Sequence, residues 1–411
     1  MNFELFIAKR IIAGKEYKSN ISSPIIKIAT IAITLGIAIM LIAVSIAAGF
    51  QNKIRDKMAG FKGHVQIVNY DTNNSDISTV PIDKNQEFYP NFKNIDGIKN
   101  VQVFANVGGI IRTPTNFEGI VFKGVSTDYD FTFFKEYLIQ GRLPNFNQPR
   151  NKEILISETI ANRLGFKVND TIQTVFSSEK SRLKHKMRKP IIVGIYNTGF
   201  AEFDKSILIG DIREVQRINS WNENQIGGFE VLIDDFDQLK QQGDEIYSTI
   251  GATLNSNTIV DNYPLIFEWV KLFDNNVWFI IGIMILIAGI NMITALLVLI
   301  LERVQMVGIL KALGSVNWSI RKIFLYNASY LILKGLLLGN LIGISLLLIQ
   351  KYFKVISLNP DTYSVATVPV DISIVAIFLL NLGTLLLCFL MLIIPSYIIT
   401  KIQPSKSIKF A

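Results

Sequence analysis

Four transmembrane helices with a large mixed α/β domain between the first and second form the fold class that this sequence predicts, and three observations predict it. Half of the 411 residues are hydrophobic and only 18% are charged, against roughly 25% in a soluble globular domain. The apolar residues also gather into runs. Residues 28–52, 275–301 and 372–400 carry no charge, and between Lys322 and Lys351 only Lys334 does. Each run is long enough for a helix to cross a hydrocarbon core of about 30 Å, and within lipid only a helix satisfies its own backbone. Between the first two runs lie over 200 residues of alternating strand-like and helix-like pattern, enough to build a core of their own.

The net charge of +8 is distributed as in a membrane protein rather than a nucleic-acid binder. Residues 1–27 carry five basic residues, 302–322 carry four and the stretch from 401 carries three, whereas 351–371 carries two. Twelve against two places both termini and the 302–322 connection in the cytoplasm. The chain then reads as a cytoplasmic interfacial helix (1–23), a first span (24–49) and an external domain with stalks at its ends (50–273). A second span (275–301), a cytoplasmic segment (302–322), a third span (323–350), a short external loop (351–371), a fourth span (372–400) and a cytoplasmic tail (401–411) follow. The polar lead before the first span is too long for a cleaved signal peptide and fits a signal anchor.

Individual elements follow from local pattern. Phe3, Phe6, Ile7 and Ile11 share a face, which suits a helix lying in the inner interface. In the external domain, strands are expected at His64–Val68, Val101–Val107, Ile110–Arg112, Gly119–Phe122, Ile191–Tyr196, Ser206–Ile209 and Phe229–Ile233, in two lobes meeting near residue 130. Residues 153–172 read as a strand, then a helix capped by Ser157 and stopped by Gly165. A helical pattern covers 234–250. Trp269, Phe273 and Trp278 form a candidate aromatic belt or a packed stalk.

The run Glu302–Gly314 (ERVQMVGILKALG) follows the second span directly. Met306, Ile309, Leu310 and Leu313 make an apolar stripe at helical spacing, framed by Arg303 and Lys311 and stopped by Gly314. This segment resembles the amphipathic helix by which type VII ABC permeases dock on their ATPase; these are the lipoprotein-releasing (Lol), MacB-like and FtsX-like permeases. The chain departs from that family in having Gln305 where an acidic residue is usual, which puts one ion pair with the ATPase in doubt. The opening LFIAKRI with its span and stalk, the segment VGIYNTGFAEFD and the ending IQPSKSIKF resemble Lol permeases, and the runs GRLP and ILISETIANRLGFKVNDTI between them resemble the external lobe shared across MacB-like domains.

The resemblance implies an inner-membrane permease that releases lipoproteins to a periplasmic carrier. An ABC ATPase subunit would drive it, and a second permease, identical or homologous, would complete it. A MacB-like mechanical exporter and an FtsX-like regulator of cell-wall hydrolases are the alternative readings. The sequence itself has no G-x-x-x-x-G-K-[ST] phosphate loop, no H-E-x-x-H and no G-x-S-x-G, so the chain reads as a non-enzyme without a cofactor of its own, ATP belonging to the partner. Two distant histidines and a lone cysteine predict neither a metal site nor a disulfide.

Polar features in the spans complete the reading. Gly335, Gly339 and Gly343, four apart, form a flat stripe for close helix packing. Lys334 lies about 18 Å beyond Lys322 along a helix, hence near the bilayer middle, where it snorkels or meets a partner. Asn291, Asn340 and Asn381 are read as interhelical hydrogen-bonding groups, with contact to the transported cargo as the alternative. The basic excursion Lys180, Arg182, Lys184, Lys186 and Arg188 reads as a surface turn, or as a contact for the carrier or for anionic membrane lipid, because Lol permeases that recruit the carrier carry a hairpin at this place. Here the stretch is short and lacks that hairpin's prolines except Pro190.

Overall fold

The structure, a computed structural model, describes residues 3–13, 22–71, 76–148, 151–178 and 181–403. It divides into two compact units, Met1–Gln51 with Lys271–Ile356 and Val368–Ala411, and Asn52–Val270 with Ser357–Thr367.

The first unit is helical. Four helices among the described residues are long and apolar enough to cross a membrane, at Pro24–Lys62, Pro264–Glu302, Asn317–Phe353 and Ile374–Lys401. Because lipid is as apolar as leucine, such helices associate by close packing and buried polar contacts rather than by hydrophobicity. Both devices are present. A Cβ added to Gly335 would sit 2.6 Å from Ile33 Cγ2, and one on Gly339 would sit 2.7 Å from the Thr34 carbonyl oxygen and from Ile37 Cβ. One on Gly343 would lie 3.2 Å from Ala38 Cα. The glycine stripe of the third span is thus seated on the first span, backbone close to backbone. Asn340 and Asn381 exchange side-chain hydrogen bonds of 2.7 and 3.0 Å, joining the third and fourth spans. Asn291 instead donates to the Ile287 carbonyl of its own helix. Arg321 donates to Ser396 Oγ and the Ile393 carbonyl at the end of the fourth span.

The N-terminal helix, Phe3–Ala13, buries Ala8 and leaves Phe3 and Phe6 exposed. Its Glu4 carboxylate accepts a 2.7 Å hydrogen bond from Ser319 Oγ, which holds that carboxyl below its ordinary range. Phe273 stacks on Phe50 with ring centroids 5.3 Å apart, so it is a packing residue. Trp278 is largely exposed.

The second unit is built on one mixed sheet. Its strands run β1 (Val65–Asn69), β2 (Ile82–Asp83), β3 (Ile98–Arg112), β4 (Phe117–Val125), β5 (Leu138–Gly141) and β6 (Glu153–Ser157). They continue with β7 (Thr174–Ser178), β8 (Ser181–Arg188), β9 (Ile191–Tyr196), β10 (Ile207–Asp211), β11 (Gln225–Ile226), β12 (Gly228–Ile233) and β13 (Leu254–Thr258). The sheet order is β13-β1-β12-β3-β4-β10-β6-β9-β5, with β7 on β3 and β8 on β7, while β2 and β11 form a separate pair. The two runs expected at Val101–Val107 and Ile110–Arg112 are one 15-residue strand. It pairs with β12 near its start and with β7 near its end. The strands on either side of residue 130 belong to the same sheet rather than to separate sheets, because β10 pairs in parallel with β4. Ser157 caps the helix Glu158–Leu164 by accepting from Ile160 N–H, and Gly165 closes it at φ 75°, where a side chain would strain the backbone.

The first span does not stop at the end of its apolar run. Ser22–Lys62 is one helix of 41 residues, about 60 Å long at 1.5 Å per residue. Its last turns enter the core of the second unit, where Ile54, Met58 and Phe61 are buried. Lys57 on this helix donates to the Ser364 carbonyl of the 357–367 loop at 2.5 Å, and burial pushes its ammonium down to about 8.

Gly339→Leu is expected to force the first and third spans apart, since its Cβ alone already meets backbone. Thermal unfolding of the purified protein should show a midpoint several degrees lower. Leu337→Ala, at a position 74% exposed, should leave it unchanged. Equal midpoints for the two variants would show that the stripe does not hold these helices together.

Candidate coupling site

The expected coupling segment is a helix, Val304–Ala312, set off from the second span at Arg303. Its end is built by hydrogen bonds from Gly314 N–H to the Lys311 carbonyl and from Ser315 N–H to the Leu310 carbonyl. That pattern requires a left-handed residue after the cap, and Gly314 supplies it at φ 91°. Glycine is the residue that adopts this conformation without strain.

The stripe at 306, 309, 310 and 313 does not act as one face. Val307 and Gly308 are buried, and Met306 and Leu310 pack partly buried against the core of the spans. Ile309 and Leu313 point outward, 46% and 78% exposed, and continue into Val316 and Trp318. The helix has apolar neighbours on its inner side, so a spacing read as a single outward stripe is divided between core and surface. Lys311 is also committed within the chain. Its ammonium donates to the carbonyls of Ile399, Thr400 and Ile402 at 2.7, 3.3 and 2.8 Å. These are the end carbonyls of the last helix, which a cation satisfies and stabilises. The outward surface of the segment therefore carries the apolar side chains of Ile309, Leu313, Val316 and Trp318, with exposed Gln305 and Asn317 beside them.

In the second unit the end of the long helix is held by a buried ionic joint. Lys123 on β4 and Glu230 on β12 form an ion pair at 2.7 Å, with side chains 2% and 1% exposed. Lys123 also donates to the carbonyl of Phe61, in the helix's last turn, at 2.5 Å. Gln102 donates to the other Glu230 oxygen at 3.1 Å. Tyr129 OH donates to the Gly60 carbonyl at 3.0 Å. Lys62 pairs with Asp76 at 2.5 Å, and Tyr263 OH donates to the same carboxylate oxygen at 2.9 Å. Burial pushes the Lys123 ammonium below its ordinary value, against the pull of Glu230. The helix stops at Gly63, φ 70°, where a Cβ would lie 2.8 Å from Glu230 Cβ. Nearby, His64 Nδ1 accepts from Ile233 N–H, and burial pushes its imidazole down to about 4, keeping it a neutral acceptor.

The joint escapes sequence reading. Lys123 and Glu230 lie in strand runs covered on both faces, with β4 buried continuously from Phe122 to Val125 and β12 from Gly228 to Val231. No alternation marks their inward direction there. Two opposite charges amid apolar strand residues were the available signal.

The basic excursion is a strand, not a turn. β8 pairs antiparallel with β7, Thr174 facing Arg188 and Phe176 facing Lys186. β7 lies between β8 and β3, its residues Thr174, Val175 and Phe176 pairing with Ile111, Ile110 and Gly109 on its other edge. Lys186 donates to the Arg217 carbonyl and to Ser220 Oγ at 3.0 Å each, closing the helix Ile212–Asn219. Arg188 pairs with Glu214 at 3.0 Å. Both are engaged by that helix. Lys180 and the side chains of Arg182 and Lys184 lie outside the described residues. Among the described residues no group of three His, Cys, Asp or Glu side chains is placed to hold a metal ion.

Two family models match the chain: the MacB-like periplasmic core domain over residues 28–247 and the FtsX-like permease C-terminal domain over 278–404. The lipoprotein-releasing system transmembrane protein LolE of Haemophilus influenzae is 22% identical, with 99% of each chain covered. The corresponding LolC of Neisseria meningitidis serogroup B is 21% identical, covering 100% of this chain and 99% of its own. Among solved structures, the periplasmic region of MacB from Actinobacillus actinomycetemcomitans is similar over 50% of this chain and 92% of its own, at 15% identity and a TM-score of 0.34.

Leu310 and Leu313 are expected to respond differently to the same substitution. Leu313→Asp should leave the yield of inserted protein unchanged and lower recovery of a bound ATPase at least about tenfold, as loss of an interface anchor does. Leu310→Asp should lower the yield itself, because it places an unpaired charge against the core of the spans. Copurification with the ATPase, normalised to inserted permease, separates the two. Undiminished recovery with Leu313→Asp would remove the exposed surface as the dock.

Proposed function

We propose, for a chain that belongs to the lipoprotein-releasing (Lol) permeases within the MacB-like and FtsX-like type VII ABC permeases, that it is the membrane subunit of a transporter that extracts lipoproteins from the inner membrane. A separate ABC ATPase supplies the energy and a soluble periplasmic carrier takes the lipoprotein. A second permease completes the pathway, since four spans make half of one. The observation that supports this most is length: relatives named for lipoprotein release align over nearly the whole of both chains, spans and external domain together.

The geometry supplies a route for the work. The ATPase grips the apolar surface of Ile309, Leu313, Val316 and Trp318 and draws two permeases together when it binds ATP. The spans respond as a packed group, since the glycine stripe and the Asn340–Asn381 pair leave them little room to slide. Motion of the first span reaches the other end of its helix, because Ser22–Lys62 is continuous and sharp kinks in a helix need an identifiable cause. The Lys123–Glu230 joint grips that end through the Phe61 carbonyl. The lipoprotein's acyl chains enter sideways between the first span of one permease and the second span of its partner. Closure then expels them toward the carrier.

The test is reconstitution. The chain, expressed with its genomic neighbours and purified with whatever ATPase and permease accompany it, is placed in vesicles holding an acylated lipoprotein. ATP with a soluble carrier should move the lipoprotein into the aqueous fraction, and omission of either should leave it in the vesicles. Copurification with an outer-membrane duct or a cell-wall hydrolase, without ATP-dependent release, would contradict the proposal.

A further inference from the structure

Lys334 carries the one charge between Lys322 and Lys351, and the structure revises its depth. Counting from Lys322 alone places it about 18 Å into the membrane. The packing of the third span on the first gives a second ruler. Gly335, its neighbour, faces Ile33 and the Thr30 carbonyl, while Gly339 faces Thr34 and Ile37 and Gly343 faces Ala38 and Leu41. The two helices therefore ascend together, and Lys334 is level with residues 30–33. That is only three to six residues past Lys27, or about 5–9 Å along the helix. Toward the other end, Lys351 is 17 residues away, about 25 Å, which is shorter than the roughly 30 Å hydrocarbon core. Lys334 belongs near the inner boundary, not at the middle.

Its surroundings are specific. Lys334 is exposed, and Tyr330 and Tyr326 are 45% and 36% exposed. Spaced by four, the three share one face of the helix. A helical side chain leans toward its own N-terminus, which here is the cytoplasmic side by the charge distribution, so the ammonium reaches down past Tyr330. One turn below Tyr326, Arg321 and Lys322 lie over the Trp318 ring at 5.2 and 6.0 Å, continuing a band of the cationic and aromatic residues that settle at headgroup depth. The spans themselves offer no counter-charge. Residues 28–52, 275–301, 323–350 and 372–400 contain no Asp or Glu, so neither these spans nor those of an identical copy offer a carboxylate.

We propose that Tyr326, Tyr330 and Lys334 bind the phosphate of an anionic phospholipid from the inner leaflet. The phosphate accepts from the ammonium and from the tyrosine hydroxyls, and the acyl chains run along the exposed Leu337 and Leu341, 74% and 66% exposed. The lipid lets the span keep a cation near the hydrocarbon without burying it unpaired. This site requires membrane insertion in the stated orientation and nothing of the transport reading.

Native mass spectrometry of the full chain, with its partner subunits, tests this after exchange into mixed phosphatidylglycerol and phosphatidylcholine. The parent should retain phosphatidylglycerol in preference to phosphatidylcholine. Lys334→Met, which inserts more readily than the parent, should lower that preference about fivefold and lose one bound lipid per chain. Tyr326→Phe with Tyr330→Phe should lower it less, and Lys351→Met should not change it. Equal retention by Lys334→Met and the parent would overturn the site. So would a photo-crosslinker at position 334 that captures another protein chain instead of lipid.

Discussion

A lysine, a glutamate and the last turn of one helix meet inside the external domain, and the coupling proposed for this chain depends on that meeting. Lys123 and Glu230 are both almost fully buried. Two charges removed from water are tolerable only when each satisfies the other and the remaining donors find acceptors. Here Glu230 takes Gln102 as well as Lys123, and Lys123 takes the Phe61 carbonyl. That carbonyl is one of the helix-end groups that no partner within a helix could satisfy. The helix end and the ion pair thus complete each other. Withdrawing the helix would strip a buried ammonium of one acceptor, and losing one charge would leave the other unpaired at a cost of about 3–5 kcal/mol. Tyr129 on Gly60 and the Lys62–Asp76–Tyr263 set repeat the grip on neighbouring residues.

The same helix is held again within the lipid, by different physics. Hydrophobicity gives no preference between a helix neighbour and a lipid tail, so contact distance decides. Three glycines of the third span bring Ile33, Thr34, Ile37 and Ala38 of the first to within backbone contact. A single helix of 41 residues is therefore fixed along residues 30–41 by shape and at residues 60–62 by charge and hydrogen bonds. The helix is continuous between these two grips, and the proposed function draws on that continuity.

The spans were plain in the sequence because uncharged apolar runs of that length suit the interior of a membrane and little else. Ser157 and Gly165 were equally plain, since a helix start and stop need those chemistries locally. Strand ends came within two or three residues in most cases, yet Val101–Val107 and Ile110–Arg112 merged into one strand, with Gly109 between the two runs paired to Phe176 of β7. What failed to show depended on neighbours from distant parts of the chain. Met306 and Leu310 face inward only because other spans lie beside them. Lys186 and Arg188 are engaged only because the helix Ile212–Asn219 lies alongside. Lys334 changed depth once a second helix gave it a ruler, and Lys123 and Glu230 lacked any periodic sign because both faces of their strands are covered.

We propose that the buried joint couples the helix to the external domain, and one variant tests this without unfolding the domain. Lys123→Met combined with Glu230→Gln removes both charges together, a change that is often neutral or stabilising in a protein interior. It also removes the donor to the Phe61 carbonyl. Melting of the external domain, ATP hydrolysis and lipoprotein release would be measured on the same reconstituted complex. Coupling through the joint gives parental melting and parental hydrolysis with release lost. Parental release from a complex that melts and hydrolyses ATP as the parent does would contradict it.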